Sequence, residues 1–288
     1  QPLDAKSRFV TRDIKFAHFT ISNIAPGKFY FGQVISRGAF GEAGFGDGDR
    51  LAWIEDCSLS LQADGAFHLV GRDGEKSLDL TLRTSKPPAI HGENGVSQKS
   101  DGEGRASHYY SLTRLESSGT LRVGSAEFSV KGLSWFDHEW ASNQLGKNQV
   151  GWDWFSVQFD DGSELMLFQL RTKDGARDRW SGGSWIAPDG SMIRITNDDF
   201  ALEPSDVWKS DATGAAYPLH WRVRIASLAL NVDVTARMKD QELRLNPIAY
   251  WEGAISATGQ REGRRIRGSG YLEMTGYAGA ITGLQPAE

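Results

Sequence analysis

Alternation of apolar and polar residues is the dominant pattern along this chain. In Trp154–Arg171 the alternation continues on both sides of a turn at Asp160–Ser163, which is the pattern of a β-hairpin. The same alternation predicts hairpins at Leu59–Val70, Lys76–Arg83, Gly119–Gly132, Leu219–Arg237 and Ala249–Gly259. Turn residues recur about every 8–12 positions and a helical period is not sustained, so the pattern predicts an all-β sandwich or barrel with very little helix.

A weak internal repeat relates the two halves of the chain. Val130–Trp140 resembles Ile266–Gly276, and this alignment matches Asp137 with Glu273. Further matches keep the same order at similar offsets, which favours a duplication, although β-hairpins also resemble one another by chance. Units of this size suit barrels of about eight strands, each wide enough for one apolar ligand. The sequence therefore predicts two tandem antiparallel β-barrels, at residues 1–145 and 146–288.

Charge and hydropathy argue against nucleic-acid binding and against a membrane-spanning helix. The 288 residues carry charged side chains of both signs and a net charge of −5, whereas nucleic-acid binders present a basic patch or stripe. The basic run Arg261–Arg267 is interrupted by Glu262 and Gly263, and we interpret it as a solvated hairpin tip. No apolar stretch of about 18 residues occurs, so no membrane span is predicted.

The sequence contains no motif for a metal, a cofactor or paired-thiol chemistry. Cys57 is the one cysteine, which excludes an intrachain disulfide and a paired-cysteine metal site. Without an HxH or HExxH motif, no catalytic metal is predicted. The glycine-rich stretch Gly41–Gly48 lacks the lysine of a phosphate-binding loop, and no GxSxG motif is present. We therefore expect no cofactor.

The start of the chain bears on its location. It begins QPLDAKSRF, without methionine and without a recognisable signal peptide, as expected of a processed or trimmed product. A chain with one cysteine suits either the cytoplasm or the periplasm. Between these, our expectation favours the periplasm or the cell envelope.

Residues suited to acid–base chemistry are concentrated between Leu133 and Arg171. This stretch groups acids and an imidazole with large indoles: Asp137, His138, Glu139, Asp153, Trp135, Trp140, Trp152 and Trp154. Protonation of an alkene carbon requires a well-placed acid in a dry site, and aromatic faces stabilise the resulting cation. In an extended strand, successive side chains point to opposite faces. Asp137 and Glu139 are therefore expected on one face, and His138 and Trp140 on the other.

From this arrangement we predict that His138 and Trp140 face a ligand, with Asp153 as the candidate acid. The remaining candidates are Asp137 and Glu139 for catalysis, and Trp135, Trp152, Trp154, His91, His108 and Tyr110 for ligand binding. The alternative is that the acids and the imidazole form a structural hydrogen-bond cluster, with Arg171 as one partner. His91 lies in a stretch rich in proline and glycine, which is also typical of a simple connection.

Several motifs resemble one protein family in the same order over most of the chain. They are FAHFTISNI at Phe16–Ile24, SKPPAIHGENG at Ser85–Gly95, SHYYSLTRLESSGTL at Ser107–Leu121, GLSWFDHEW at Gly132–Trp140, GWDWFSVQFDDGSELMLFQLR at Gly151–Arg171, and YWEGAISATG with GSGYLEMTGY near the end. On these motifs the chain resembles the AttH/CrtC-type family of lipocalin-like proteins, which includes carotenoid 1,2-hydratases. It is most similar to the bacterial AttH-like branch.

The resemblance implies two calycin-type β-barrels that bind an apolar lipid or isoprenoid. Family members carry an EWWY-type strand near the N-terminus that is absent here, so we expect the first barrel to lack its first strand. The hydratase branch implies addition of water to a carbon–carbon double bond, and its His-x-Trp pattern matches His138 and Trp140. Two alternatives stay open: a non-enzymatic lipid carrier of the cell envelope, and a cyclase or isomerase acting on a polyene.

Overall fold

The regular structure of this protein is almost entirely β-strand. The computed structural model describes residues 13–143, 145–245 and 248–279. Its strands are β1 (Lys15–Asn23), β2 (Lys28–Ser36), β3 (Ala43–Phe45), β4 (Arg50–Ile54), β5 (Cys57–Leu61), β6 (Phe67–Asp73), β7 (Lys76–Thr84), β8 (Ala89–Ile90), β9 (Val96–Gln98), β10 (Ala106–Val123), β11 (Ala126–Ala141), β12 (Gln149–Phe159), β13 (Glu164–Thr172), β14 (Gly182–Ile186), β15 (Met192–Ile195), β16 (Phe200–Lys209), β17 (Ala216–Ile225), β18 (Leu230–Ala236), β19 (Glu242–Arg244), β20 (Ala249–Arg261) and β21 (Arg264–Met274).

Helix is limited, over the described ranges, to three 3₁₀ turns at Ala39–Gly41, Asn197–Asp199 and Ala226–Leu228. None of the helical segments in that part of the chain has the length and apolar character needed to cross a membrane. The predicted all-β class with very little helix is confirmed. The expectation of a missing first strand concerns the chain before β1, where residues 1–12 lie outside the described residues.

Most of the predicted hairpins occur where the alternation placed them. Strands β12 and β13 pair antiparallel across the turn at Asp160–Ser163, and β17 pairs with β18 in the same way. Two predicted hairpins are wrong, because Lys76–Arg83 lies within the single strand β7 and Ala249–Gly259 lies within β20. Alternation reports an extended backbone with two different faces, and it does not by itself locate a turn.

The strands form two large antiparallel sheets and one small one. The nine-stranded sheet has the order β11-β10-β7-β6-β5-β4-β3, with β8 and β9 also pairing with β10. The ten-stranded sheet has the order β15-β14-β13-β12-β21-β20-β18-β17-β16, with β19 also pairing with β20. Strands β1 and β2 pair separately, and each large sheet is curled into a half-barrel.

Contacts divide the described residues into two compact units. Unit 1 comprises Tyr30–Ser85, Arg114–Ser134 and the described residues up to Ile21. Unit 2 comprises Ser22–Phe29, Lys86–Thr113 and the described residues from Trp135 onward. The division into two barrels at residues 1–145 and 146–288 stays a prediction.

The core of unit 2 lies on one face of the ten-stranded sheet. Strand β12 contributes Phe155, Val157 and Phe159, which alternate along one of its faces and are fully buried. Trp221 of β17 and Trp251 of β20 pack into the same cluster. Burial of one large aromatic side chain stabilises a fold by roughly 1.5–3 kcal/mol, so this face holds the unit together.

In unit 1, Phe19 of β1 packs directly over Gly71 of β6. A Cβ atom at position 71 would lie 2.8 Å from the Phe19 ring, so only glycine allows this close approach. Leu82 of β7 and Leu115 of β10 are buried in the same unit. The glycine therefore serves packing in this strand.

Candidate active site

The face of β12 that points away from the core carries Trp152 and Trp154. Trp154 lies opposite Glu273 of β21, and Glu273 lies opposite Glu252 of β20. Residues directly opposite on neighbouring antiparallel strands share a face, so these three side chains form a row across three strands. Phe168 of β13, which is opposite Trp154, extends the row.

Glu252 and Glu273 form a carboxyl pair within this row. Burial raises the pKa of both groups well above the ordinary range of glutamate, and the charge of Glu252 raises the pKa of Glu273 further. Trp152 Nε1 donates a hydrogen bond to Glu273 Oε1 at 2.9 Å, which opposes part of that increase. Two neighbouring carboxyls in such a site do not both ionise at neutral pH, so the pair retains a proton.

Asp137 of β11 contributes a third carboxyl. Ser111 donates a hydrogen bond to its Oδ1 atom, and Trp135 Nε1 donates to the same atom at 2.7 Å. Solvent still reaches Asp137, but the surrounding protein desolvates the carboxyl and raises its pKa to about 6. The charge of Asp137 also raises the pKa of Glu273, so the two carboxyls lie within electrostatic range.

Indole rings surround these acids. Trp135 and Trp154 meet edge to face with their ring centroids 6.2 Å apart, and Trp154 Nε1 donates to the Tyr109 hydroxyl at 3.0 Å. Tyr109 is buried and also bonds to Asp137. We call the group formed by Asp137, Glu252, Glu273, Trp135, Trp152 and Trp154 the carboxyl surface.

Glu139 follows Asp137 on the same face of β11 but has a charged partner. Lys99 Nζ lies 2.8 Å from Glu139 Oε1, and Ser107 donates to the same carboxylate. Glu139 is therefore occupied by an ion pair, unlike Asp137. Despite the number of acids here, no three His, Cys, Asp or Glu side chains in the described part of the chain are grouped to hold a metal ion.

His91 is buried behind Asp137. Its Nδ1 atom lies 3.0 Å from Ser184 Oγ, and its Nε2 atom lies 2.7 Å from Ser111 Oγ. Burial, with a smaller effect from the charge of Lys99, lowers the pKa of His91 to about 3, so the imidazole is neutral. His91 also lines a cavity of about 130 Å³, whose other lining residues include Met166, Phe168, Trp180, Gly183, Arg179 and Arg194.

The structure places Asp153, the candidate acid from the sequence, on the opposite face of β12. It is fully buried, with Arg171 Nε 3.1 Å from its Oδ2 atom and Gln169 Nε2 at 2.7 Å from the same atom. Burial raises the pKa of Asp153, and the guanidinium opposes this increase. Since side chains alternate along a strand, Asp153 does not share a surface with Trp152 and Trp154.

His138 and Trp140 lie on the other face of β11. His138 Nδ1 is 3.0 Å from the Tyr110 hydroxyl, and Trp140 stacks on His108 with centroids 5.2 Å apart. The structure thus separates His138 and Trp140 from Asp137, as alternation requires. The candidate residues fall into three places: the carboxyl surface with Glu139 beside it and His91 behind it, this aromatic face, and the core position of Asp153.

Two carboxyls of the carboxyl surface were not among the candidates from sequence. Glu252 and Glu273 come from β20 and β21, and Glu273 is 121 positions from the Trp152 that bonds to it. The internal repeat aligned Glu273 with Asp137, so it was the available signal for this residue. Glu252 carried no such signal, because its pairing with Glu273 depends on strand register.

Comparison with known proteins identifies the family. The family model described as AttH-like matches residues 1–277. The chain belongs to the AttH-like family. A crystal structure of an AttH protein from Nitrosomonas europaea superposes with a TM-score of 0.86 at 34% identity, covering 94% of this chain and 83% of that one. The family and the lipocalin-like all-β fold predicted from the sequence are confirmed.

Two further proteins are similar to this chain at lower sequence identity. Kievitone hydratase from Nectria haematococca has the same fold, with a TM-score of 0.74 at 13% identity over 92% of this chain and 80% of that one. Dehydratase asqC from Emericella nidulans is 26% identical over 251 residues, which is 81% of this chain. The match spans 66% of asqC, just under two thirds of its length.

Proposed function

We propose that this AttH-like protein adds water to, or removes water from, a carbon–carbon double bond of an apolar small molecule, such as a lipid or isoprenoid. The observation that carries the proposal is the pairing of the Glu252 and Glu273 carboxyls beside indole rings, where burial raises the pKa of both groups so that the pair is expected to keep a proton at neutral pH. A proton available at neutral pH is what a general acid needs. The name of the relative dehydratase asqC supports the same class of reaction.

Glu273 is the proposed acid. Of the two paired carboxyls, it is the one bonded by Trp152 and opposite Trp154, so a ligand against these rings lies next to its carboxyl. In the hydration direction the Glu273 proton passes to one alkene carbon. The cation that forms on the other carbon is stabilised by the faces of the neighbouring indoles, an attraction worth about 2 kcal/mol or more in a desolvated site.

Asp137 is the proposed base. The three groups that donate to it, Ser111, Trp135 and Tyr109, are all neutral, whereas Glu139 has the Lys99 ammonium and Asp153 has the Arg171 guanidinium. With a pKa of about 6, Asp137 is mostly ionised at neutral pH and can accept a proton from the attacking water. Dehydration uses the same two groups in the reverse direction.

The test is product analysis in ¹⁸O-labelled water. Purified protein is incubated with a panel of isoprenoid alkenes, isoprenoid alcohols and unsaturated fatty acids, and products are identified by mass spectrometry. Glu273→Gln keeps the side-chain size but removes the acid, and the matched control is Glu203→Gln on β16, in an exposed ion pair with Arg224. We expect the wild type and the control to form a product that has either gained one ¹⁸O-labelled water or lost one water. We expect Glu273→Gln to form that product at a rate lower by about 100-fold or more.

Three results would contradict the proposal. Equal turnover by Glu273→Gln would remove the acid from that residue. Conversion without any change in mass would indicate a cyclase or isomerase. Tight binding of one class of panel molecule without conversion would indicate a carrier.

A further inference from the structure

A continuous chain of hydrogen bonds leads, within unit 2, from Asp137 of the carboxyl surface to the buried Ser184. Ser184 Oγ is 3.0 Å from His91 Nδ1, His91 Nε2 is 2.7 Å from Ser111 Oγ, and Ser111 Oγ bonds to Asp137 Oδ1. Ser111, Ser184 and His91 are all buried. Asp137 is the one member of the chain that solvent reaches.

Counting hydrogens fixes the direction of this chain when Asp137 is ionised. A carboxylate only accepts, so Ser111 must give it its single hydroxyl hydrogen. His91 Nε2 must then donate to Ser111, which leaves Nδ1 without a hydrogen and makes Ser184 its donor. The tautomer of His91 is therefore determined by Asp137, two hydrogen bonds away.

Protonation of Asp137 permits the reverse order. Protonated Oδ1 can donate to Ser111, whose own hydrogen then turns to His91 Nε2. The imidazole hydrogen is now on Nδ1 and points at Ser184. Both orders keep every bond in the chain and keep His91 neutral, so they differ only in which atoms carry the hydrogens.

We propose that His91 and Ser111 are positioning residues that relay protons between Asp137 and the cavity lined by His91 and Gly183. The inference rests on the proposed function, in which Asp137 accepts a proton from water in each hydration cycle and must lose it again. The relay supplies a route for that proton that avoids the ligand on the carboxyl surface.

A proton leaves Asp137 in four transfers along the chain. Asp137 passes its proton to Ser111 Oγ. The hydrogen that Ser111 had directed at His91 moves onto Nε2, and the Nδ1 hydrogen passes to Ser184. Ser184 is buried, but Met166 and Arg194, which lie opposite it on β13 and β15, line the cavity. The hydroxyl hydrogen of Ser184 leaves to a water molecule on that side. One proton has left Asp137 and one has reached water, while the serines and the imidazole return to neutral forms.

The charges around His91 favour a neutral relay. Lys99 acts electrostatically on the imidazole and disfavours a second proton on it. The Tyr109 ring packs against His91 with centroids 4.4 Å apart, and Arg194, which lies opposite Ser184 on β15, lines the cavity together with Arg179. Burial, with a smaller effect from the charge of Lys99, lowers the pKa of His91 and disfavours an imidazolium, so a proton crosses by exchange of hydrogens along the chain.

The test is a ¹⁵N-histidine NMR titration of the full chain, which reports the tautomer of His91 without any substrate. As pH falls through the Asp137 pKa, the wild type should exchange its Nε2–H tautomer for the Nδ1–H tautomer and should stay neutral. Ser111→Ala should abolish the exchange by breaking the chain. Asp137→Asn should abolish it by removing the titrating group, and His220 on β17 is the internal reference.

The relay would be overturned if His91 keeps one tautomer in the wild type. It would also be overturned if His91 is protonated to an imidazolium over the pH range in which Asp137 titrates. Exchange that persists in Ser111→Ala would also overturn it. These results are separate from the ¹⁸O assay: exchange without water transfer would refute the proposed reaction alone, and water transfer without exchange would refute the relay alone. With both present, Ser111→Ala should lower kcat at least tenfold and leave KM within about twofold.

Discussion

Replacing Lys86 with methionine is expected to destabilise the fold strongly while nearly preserving side-chain volume. The ammonium donates to Glu164 Oε2 at 2.7 Å and to the carbonyl of Ala187 at 2.9 Å, and it also donates to the carbonyl of Gly162. The side chains of Lys86 and Glu164 are only 7% and 0% exposed. Lys86→Met would remove this ammonium from the buried Glu164 carboxylate, to which Thr113 also donates a hydrogen bond.

The size of the effect follows from this burial. Removing one partner of a buried ion pair costs about 3–5 kcal/mol. The exposed pair Arg224–Glu203, with side chains 47% and 52% accessible, supplies the matched control. Arg224→Met should cost about 0–1 kcal/mol. If the free energy of unfolding falls by about 3 kcal/mol per molar urea, Lys86→Met should lower the urea concentration at the unfolding midpoint by roughly 1–2 M.

The assay is urea unfolding followed by tryptophan fluorescence, with a double-mutant cycle. Glu164→Gln in the Lys86→Met background should recover part of the loss, because a neutral amide is less costly to bury than a carboxylate that has lost the Lys86 ammonium. A loss from Lys86→Met no larger than that from Arg224→Met would refute the reasoning. So would strictly additive losses in the cycle.

Three further changes test the electrostatics. Burial raises the pKa of Glu273, so its contribution to stability is complete below the unfolded pKa and is lost as pH rises through the folded pKa. Glu273→Gln should therefore melt higher than the wild type in alkaline buffer and not in mildly acidic buffer. Trp152→Phe removes a hydrogen bond that lowers the pKa of Glu273, so the upper pKa of the pH–rate profile should rise. An unchanged upper pKa would contradict this. Asp153→Asn leaves Arg171 without its anion, so unfolding free energy should fall while turnover of the folded protein persists; lost turnover in a fully folded variant would return the acid role to Asp153.

The strands could be predicted from local sequence because each records its own two faces. In β12, the alternation separates the buried Phe155, Val157 and Phe159 from Trp152 and Trp154, and the structure shows the same separation. The positions of the turns could not be predicted from alternation alone. Lys76–Arg83 alternates as clearly as a hairpin does, yet it lies within one strand. Local patterns therefore establish extended structure more reliably than they establish where the chain reverses.

The candidate site was only partly predictable, because its carboxyls come from distant strands. Alternation correctly placed Asp137 and His138 on opposite faces of β11, but it could not show which face meets Glu252 and Glu273. Asp153 has a favourable neighbourhood in sequence, between two tryptophans, and its strand position turns it toward the core. Register between β12, β20 and β21 decides the site, and no short segment contains that information.

The most direct measurement of the central claim is a carboxyl ¹³C NMR titration of protein labelled at the glutamate side-chain carboxyl. Glu252→Gln and Glu273→Gln variants assign the two signals, and the urea-unfolded protein serves as reference. We expect one proton to remain on the Glu252–Glu273 pair at neutral pH, whereas glutamate carboxyls of the urea-unfolded protein titrate near the usual pKa of about 4.3. If both carboxyls of the folded protein ionise in that ordinary range, the pair holds no proton to give to a substrate, and acid-assisted addition or loss of water at this surface is contradicted.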